Sequence, residues 1–275
     1  MTTPRRIPWP ETWRCALKRA VKFLLPHGLV LLRQKLKRKP VTAIYGSGEL
    51  DFSSLPRCLL LAPHPDDDLI GAGGTLIQHA ELFDVLCLSS SGGARCGMTP
   101  EENAQVRADD FTRIMTELGV RRHRVFVYGN DQNGRSLDFY PGHIDDYSAW
   151  MNLDDYGYIF LPHPLDNHPD HRYISVLLRN IAEKQQSKRN FRLAFYEVWS
   201  PLPDANVFAA IDAVVELKFR RLSQYRTVGG GYVTPIRGLN SYRALQGSIF
   251  QCAYAEAFTI APAETLWRIP EQTPT

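Results

Sequence analysis

The chain of 275 residues lacks paired cysteines, a strong net charge and any internal repeat, and each absence excludes a class. Its five cysteines, Cys15, Cys58, Cys87, Cys96 and Cys252, are odd in number and contain no CxxC pair. That pattern argues against a disulfide framework and against a zinc–thiolate site, and it fits a reducing compartment such as the cytoplasm. A net charge of +3 is too small for the electrostatic footprint of a nucleic-acid-binding protein. With no repeat and no low-complexity linker, the sequence reads as one globular domain, and 44% hydrophobic with 22% charged residues is ordinary for such a domain.

Acidic residues are also missing from one long stretch. Between Arg14 and Lys39 stand Lys18, Arg19, Lys22, Arg33, Lys35, Lys37 and Arg38, interleaved with Phe23, Leu24, Leu25, Leu29, Val30, Leu31 and Leu32. This is the pattern of one or two basic amphipathic helices, interrupted at Pro26 and Gly28. The apolar run Leu29 to Leu32 is far too short to cross a bilayer, and its flanks do not fit a signal peptide. We divide the chain into a basic arm over residues 1–40 and a folded domain over residues 41–275. Two readings of the arm stand side by side: a solvated strap packed on the domain, or a peripheral contact of residues 14–39 with the anionic inner face of a membrane.

From Val41 onwards, short apolar runs alternate with segments of helical pattern. Cys58 to Ala62, Val85 to Leu88, Val125 to Tyr128, Tyr158 to Leu161 and Leu193 to Trp199 read as strands. Helical spacing begins at Gly71 to Thr75 and recurs over Glu101 to Leu118 and Asp170 to Glu183. Continuous apolar strands separated by helices predict an α/β, Rossmann-like, mostly parallel sheet with helices on both faces. Two glycine-rich stretches, Gly129 to Ser136 and Gly229 to Asn240, read as mobile loops.

Ligands of such a sheet bind beyond the carboxyl ends of its strands. After the first run comes Pro63-His64-Pro65-Asp66-Asp67-Asp68, and after the fourth comes Pro162-His163-Pro164-Leu165-Asp166-Asn167-His168-Pro169-Asp170-His171. Four of the eight histidines lie in these two segments, each beside carboxylates. Taken singly, Asp66 to Asp68 read as a helix start and Asp170 as a helix cap. Together they point to a cation, because three adjacent carboxylates repel one another unless a positive charge offsets them.

The segments His64-Pro65-Asp66-Asp67 and His168-Pro169-Asp170-His171 resemble the paired signatures of the PIG-L/LmbE-like zinc de-N-acetylases. The resemblance runs from about Leu59 to Ile260 and takes in Ser91-Gly92-Gly93, Arg107 and Tyr254-Ala255-Glu256-Ala257-Phe258. It implies that His64, Asp67 and His171 hold one zinc ion. It further implies Asp66 as general base and His168 as the group that stabilises the oxyanion or protonates the leaving amine. Asp170 and Asp68 would support these from behind, with Asp68 standing where many members carry Glu. Two imidazoles among three ligands favour zinc over magnesium, although the same donor set also serves iron(II).

The implied substrate is an acetylated amino-sugar conjugate of the N-acetylglucosamine type, with Arg95, Arg107 and Asp131 as candidate substrate contacts. Trp199 and Tyr196 are candidate stacking faces that fit the core at least as well. Two other classes compete. A phosphoesterase would call for a second ligand set, which the sequence does not offer. A non-catalytic glycan- or lipid-binding module with a metal would leave Asp66 and His168 without a task.

Overall fold

The computed structural model describes residues 50–54, 56–90, 97–127, 143–227, 230–248 and 252–270. The basic arm, the glycine-rich stretch Gly129 to Ser136 and the candidate contacts Arg95 and Asp131 lie outside them.

Seven strands form one sheet: β1 (Cys58–Ala62), β2 (Phe83–Cys87), β3 (Arg122–Val125), β4 (Tyr158–Pro162), β5 (Arg192–Tyr196), β6 (Val207–Ala210) and β7 (Ala255–Pro262). Their order is β3-β2-β1-β4-β5-β7-β6. The first five run parallel, while β7 pairs antiparallel with both β5 and β6. Among the described residues, six α-helices accompany them: α1 (Asp67–Gln78), α2 (Pro100–Glu117), α3 (His143–Trp150), α4 (Pro169–Lys184), α5 (Val215–Leu222) and α6 (Val233–Ser248).

The two-residue period of a strand divides the core. In β1, Cys58, Leu60 and Ala62 face one hydrophobic layer with Phe111, Ile114 and Met115 of α2 and Phe219 and Leu222 of α5. Leu59 and Leu61 face the other, with Tyr147 of α3 and Ile174, Leu177, Leu178 and Ile181 of α4. Every residue of β1, β2 and β4 is buried, which is why these strands show no polar alternation in sequence. Chain order reverses at β1, since β2 and β3 lie on one side and β4 and β5 on the other. The crevice outside the carboxyl ends of β1 and β4 is therefore the switch point at which open α/β sheets bind ligands.

Several boundaries differ from the sequence reading, among them the end of β5 at Tyr196 rather than Trp199. The third strand occupies Arg122–Val125 rather than 125–128. It is an edge strand whose residues alternate between exposed and half-buried, so its apolar content is low. The first helix starts at Asp67, four residues before the glycines that signalled it. Of the stretch Gly229 to Asn240, expected to be mobile, the described part is a short 3-10 turn at Gly230–Tyr232 followed by α6. Packing overrides composition here. Ile236, Asn240 and Arg243 are buried, and Asn240 Nδ2 donates to Ala255 O at 3.1 Å.

α1 is bent at Ala72, whose φ of −135° and ψ of 17° are not helical. The bend interrupts the hydrogen-bond ladder, and a side chain from β7 replaces the missing acceptors. Glu256 takes Gly74 N at 2.6 Å, Thr75 N at 2.9 Å and Thr75 Oγ1 at 2.8 Å. Lys218 of α5 neutralises that carboxylate at 2.7 Å and donates to Ile70 O at 3.3 Å. Close approach of α1 to the sheet requires glycine at position 71, where a Cβ would lie 2.1 Å from Tyr196 Cδ2. Among the described residues, no helix is long and apolar enough to cross a membrane.

Candidate metal centre

The loop between β1 and α1 is four residues long and wraps on itself. Asp67 N donates to His64 O at 3.2 Å, and Asp67 Oδ2 accepts His64 N–H at 3.0 Å. Asp66 therefore adopts a φ of 124°, a conformation costly for a residue with a Cβ. Asp68 Oδ1 accepts the Asp66 N–H at 3.1 Å and so clamps that backbone, while Tyr225 Oη donates to both Asp68 oxygens at 3.3 Å. At the end of β4, His168 caps α4 and its Nδ1 accepts Asp170 N–H at 3.2 Å. Pro169 fills the first helical position, where a missing N–H costs nothing.

The two distant segments meet. Asp67 Oδ2 stands 3.2 Å from His64 Nδ1 and 3.2 Å from His171 Nε2. The three ligand atoms lie within 4.8 Å of one another, and all three residues are buried. Each imidazole has a carboxylate on its far nitrogen: Asp170 Oδ2 at 2.8 Å from His64 Nε2, and Asp166 Oδ1 at 3.2 Å from His171 Nδ1. Asp166 was present in the sequence segment but received no role there. Its signal is a spacing, five residues before His171, that only the turn over 163–166 makes meaningful; Asp166 N donates to His163 O at 2.9 Å.

Both nitrogens of His171 are fully buried and neither has a hydrogen bond of good geometry. Buried polar atoms without partners are uncommon and point to a missing one. The donor set fits a small divalent cation of the zinc type. Ligands at roughly 2.0–2.2 Å from a tetrahedral centre lie about 3.3–3.6 Å from one another. The observed 3.2 Å spacings are close to that. A His64–His168–Asp170 group is comparably compact, but the 2.8 Å contact between His64 Nε2 and Asp170 Oδ2 has the length of a direct hydrogen bond. It reads as an orienting hydrogen bond.

Electrostatics separate the carboxylates. Burial, with the negative charge of Asp67 added, pushes the Asp66 carboxyl up to about 7 against the pull of Arg107. Burial likewise pushes Asp68 up to about 7. Burial acts on Asp67 too, but the adjacent His171 and His64 outweigh it and hold the carboxyl well below the usual range. His168 is pulled down to about 4 by burial and by its two neighbouring imidazoles, whose ring centroids are 4.8 and 5.1 Å away. It is thus neutral near pH 7. Because Nδ1 accepts from Asp170 N–H, the proton sits on Nε2.

The remaining expected residues fall as follows. Arg107 is buried and donates to Ser90 O and Pro65 O, each at 3.0 Å, with Asp66 Oδ1 at 3.8 Å. It braces the loops after β1 and β2 from beside Asp66. Tyr196 is fully buried with its hydroxyl on Leu61 O at 2.8 Å, so it offers no stacking face. Trp199 is half-buried and meets the Tyr232 ring edge-on at 4.9 Å.

Comparison with known proteins places this geometry in context. Residues 59–182 match the PIG-L family, described as GlcNAc-PI de-N-acetylase. A diacetylchitobiose deacetylase of Thermococcus kodakarensis is 24% identical over 198 residues, covering 64% of this chain and 71% of that protein. Among solved structures, the conserved protein TT1542 of Thermus thermophilus is similar with a TM-score of 0.59 and 24% identity, over 74% of this chain and 94% of its own. The N,N'-diacetylchitobiose deacetylase of Pyrococcus horikoshii gives 0.62 and 20% identity, over 75% and 84%. The A40926 pseudoaglycone deacetylase Dbv21 gives 0.53 and 17%, over 78% and 99%. These likenesses confirm the fold.

Proposed function

Residues 59–182 belong to the PIG-L/LmbE-like family, and on that premise we propose that the chain is a metal-dependent de-N-acetylase of an N-acetylglucosamine-type conjugate. The observation that carries the proposal is the convergence of His64, Asp67 and His171 at the carboxyl edge of β1 and β4, with Asp67 Oδ2 3.2 Å from a ring nitrogen of each histidine. A zinc ion held there would polarise the acetyl carbonyl and make a neighbouring water more acidic.

The residues around it supply the rest. Asp66, raised to about 7, accepts a proton from the attacking water at an ordinary working pH. The water oxygen bonds to the acetyl carbon. His168, neutral with its proton on Nε2, donates to the oxyanion that develops on the carbonyl oxygen. As the C–N bond breaks, the proton taken by Asp66 passes to the amine nitrogen, and acetate and a free amino sugar leave. Asp170 and Asp166 hold the two ligand imidazoles in the required tautomers.

The reading extends to a deacetylase domain over residues 41–275 that acts in the cytoplasm, behind a basic arm over 1–40 that is either a solvated strap or a contact with anionic lipid. Retained liposome partition after deletion of residues 1–40 would contradict the lipid contact.

Acetate release from N,N'-diacetylchitobiose, measured on wild type and Asp66→Asn, tests the central proposal. Asp66→Asn is expected to keep its metal and lose about 10²–10⁴-fold in kcat. Full activity in that variant would contradict the assigned base, and absence of any acetate release from N-acetylglucosamine conjugates by wild type would contradict the activity.

A further inference from the structure

The strap over the second ligand histidine is held from a distant helix. Residues 197–202 follow β5, and at their middle Trp199 N and Ser200 N donate to Asp166 Oδ2 at 2.9 and 3.1 Å. The other oxygen of Asp166 accepts His168 N–H at 2.8 Å and faces His171 Nδ1 at 3.2 Å. Both ends of the strap are tied to one point. Glu197 Oε2 accepts Leu202 N–H at 2.9 Å, closing the loop across its own ends. Arg243 of α6 then grips Glu197 with Nε on Oε1 at 3.0 Å and Nη2 on Oε2 at 2.6 Å, and the same Nη2 reaches Leu202 O at 3.1 Å.

Arg243 and Glu197 are 2% and 4% exposed. Burying a charged fork and its carboxylate is seldom a gain in stability over apolar side chains of the same size. What the pair supplies is geometry. The planar guanidinium meets the carboxylate in two parallel hydrogen bonds, which fixes the strap in one orientation. A strap so fixed presents two main-chain N–H groups to one oxygen of Asp166, and that locks the carboxylate rotamer.

We propose that the Arg243–Glu197 pair is a positioning device for the metal centre: it acts through the strap and Asp166 to aim His171 Nε2. The inference rests on the metal-site reading above. Neither residue appears among the metal ligands or touches Asp66 or His168 in any described contact, so neither is a catalytic residue.

The test is zinc affinity, measured by chelator competition on the full chain for wild type, Arg243→Lys, Asp166→Asn and the double variant. Lysine keeps the positive charge and loses the fork. Arg243→Lys is expected to weaken zinc binding about tenfold and Asp166→Asn about 10–100-fold, the range for groups that orient metal ligands. Because both act along one path, the double variant should bind zinc no more weakly than Asp166→Asn alone. Ser200→Pro, which removes one donor to Asp166 and leaves the buried pair intact, supplies the same comparison if Arg243→Lys does not fold; an affinity loss there is expected too. Unchanged zinc affinity with only a lowered unfolding midpoint would overturn the inference, as would additive losses in the double variant. Failure of wild type to bind zinc would instead overturn the metal-site reading on which it rests.

Discussion

Two clusters of buried charge in this molecule differ in how completely their polar atoms are matched. Around Lys218, the ammonium has three partners, Ile70 O, Asn240 Oδ1 and Glu256 Oε1, at 3.3, 3.0 and 2.7 Å. Glu256 in turn accepts Gly74 N, Thr75 N and Thr75 Oγ1. Three donors meet three acceptors, and the network splints the bend in α1. Around His171, by contrast, five aspartates (66, 67, 68, 166 and 170) crowd three imidazoles, and both nitrogens of His171 lack a hydrogen bond of good geometry. A satisfied cluster is architecture. An unsatisfied one, placed at the switch point of a parallel sheet, has the character of a ligand site.

The comparison can be broken by substitution. The largest effect on folding is expected at the satisfied cluster. Lys218→Met leaves Glu256 buried and uncompensated, and should cost about 3–5 kcal/mol in denaturant unfolding while leaving zinc affinity of the folded protein intact. A loss under 1 kcal/mol would show that the network is not the splint described. A smaller effect, of the opposite kind, belongs to the unsatisfied cluster. Asp170→Asn keeps the size of the side chain but no longer fixes the His64 tautomer as a carboxylate does, and should weaken zinc binding by about 10–100-fold with little change in unfolding. Equal losses in affinity and stability would erase the distinction. The smallest effect lies at the surface, where Glu216 meets Arg237 in two hydrogen bonds of 2.7 and 3.0 Å, both open to solvent. Glu216→Gln should move neither the unfolding midpoint nor zinc affinity beyond experimental scatter.

Much of the site was legible before any coordinates, and for a physical reason. A His-Pro-Asp-Asp turn and a His-Pro-Asp-His turn each follow an apolar strand, and a parallel sheet gathers its strand ends at one edge. The parallel strands were legible as well, since burial on both faces removes polar residues from them. The supporting groups were not. Asp166 gains its meaning from the 163–166 turn, and Arg243 from a helix in a segment whose glycines suggested a loop. Lys218 and Glu256 sit 38 residues apart, in α5 and β7, and no local period links them. Arg107 read as a candidate substrate contact because sequence records its charge and not the carbonyls of Ser90 and Pro65 to which it donates. Local patterns specify elements, whereas long-range polar pairing is specified only by the fold.

Zinc titration of wild type against His171→Ala, with unbound metal read by a competing chelator, bears most directly on the metal centre. Wild type should take up one equivalent, removable by chelation, and His171→Ala should show no stoichiometric binding while still unfolding cooperatively. Equal uptake by both proteins would mean that the paired histidine segments hold no ion between them.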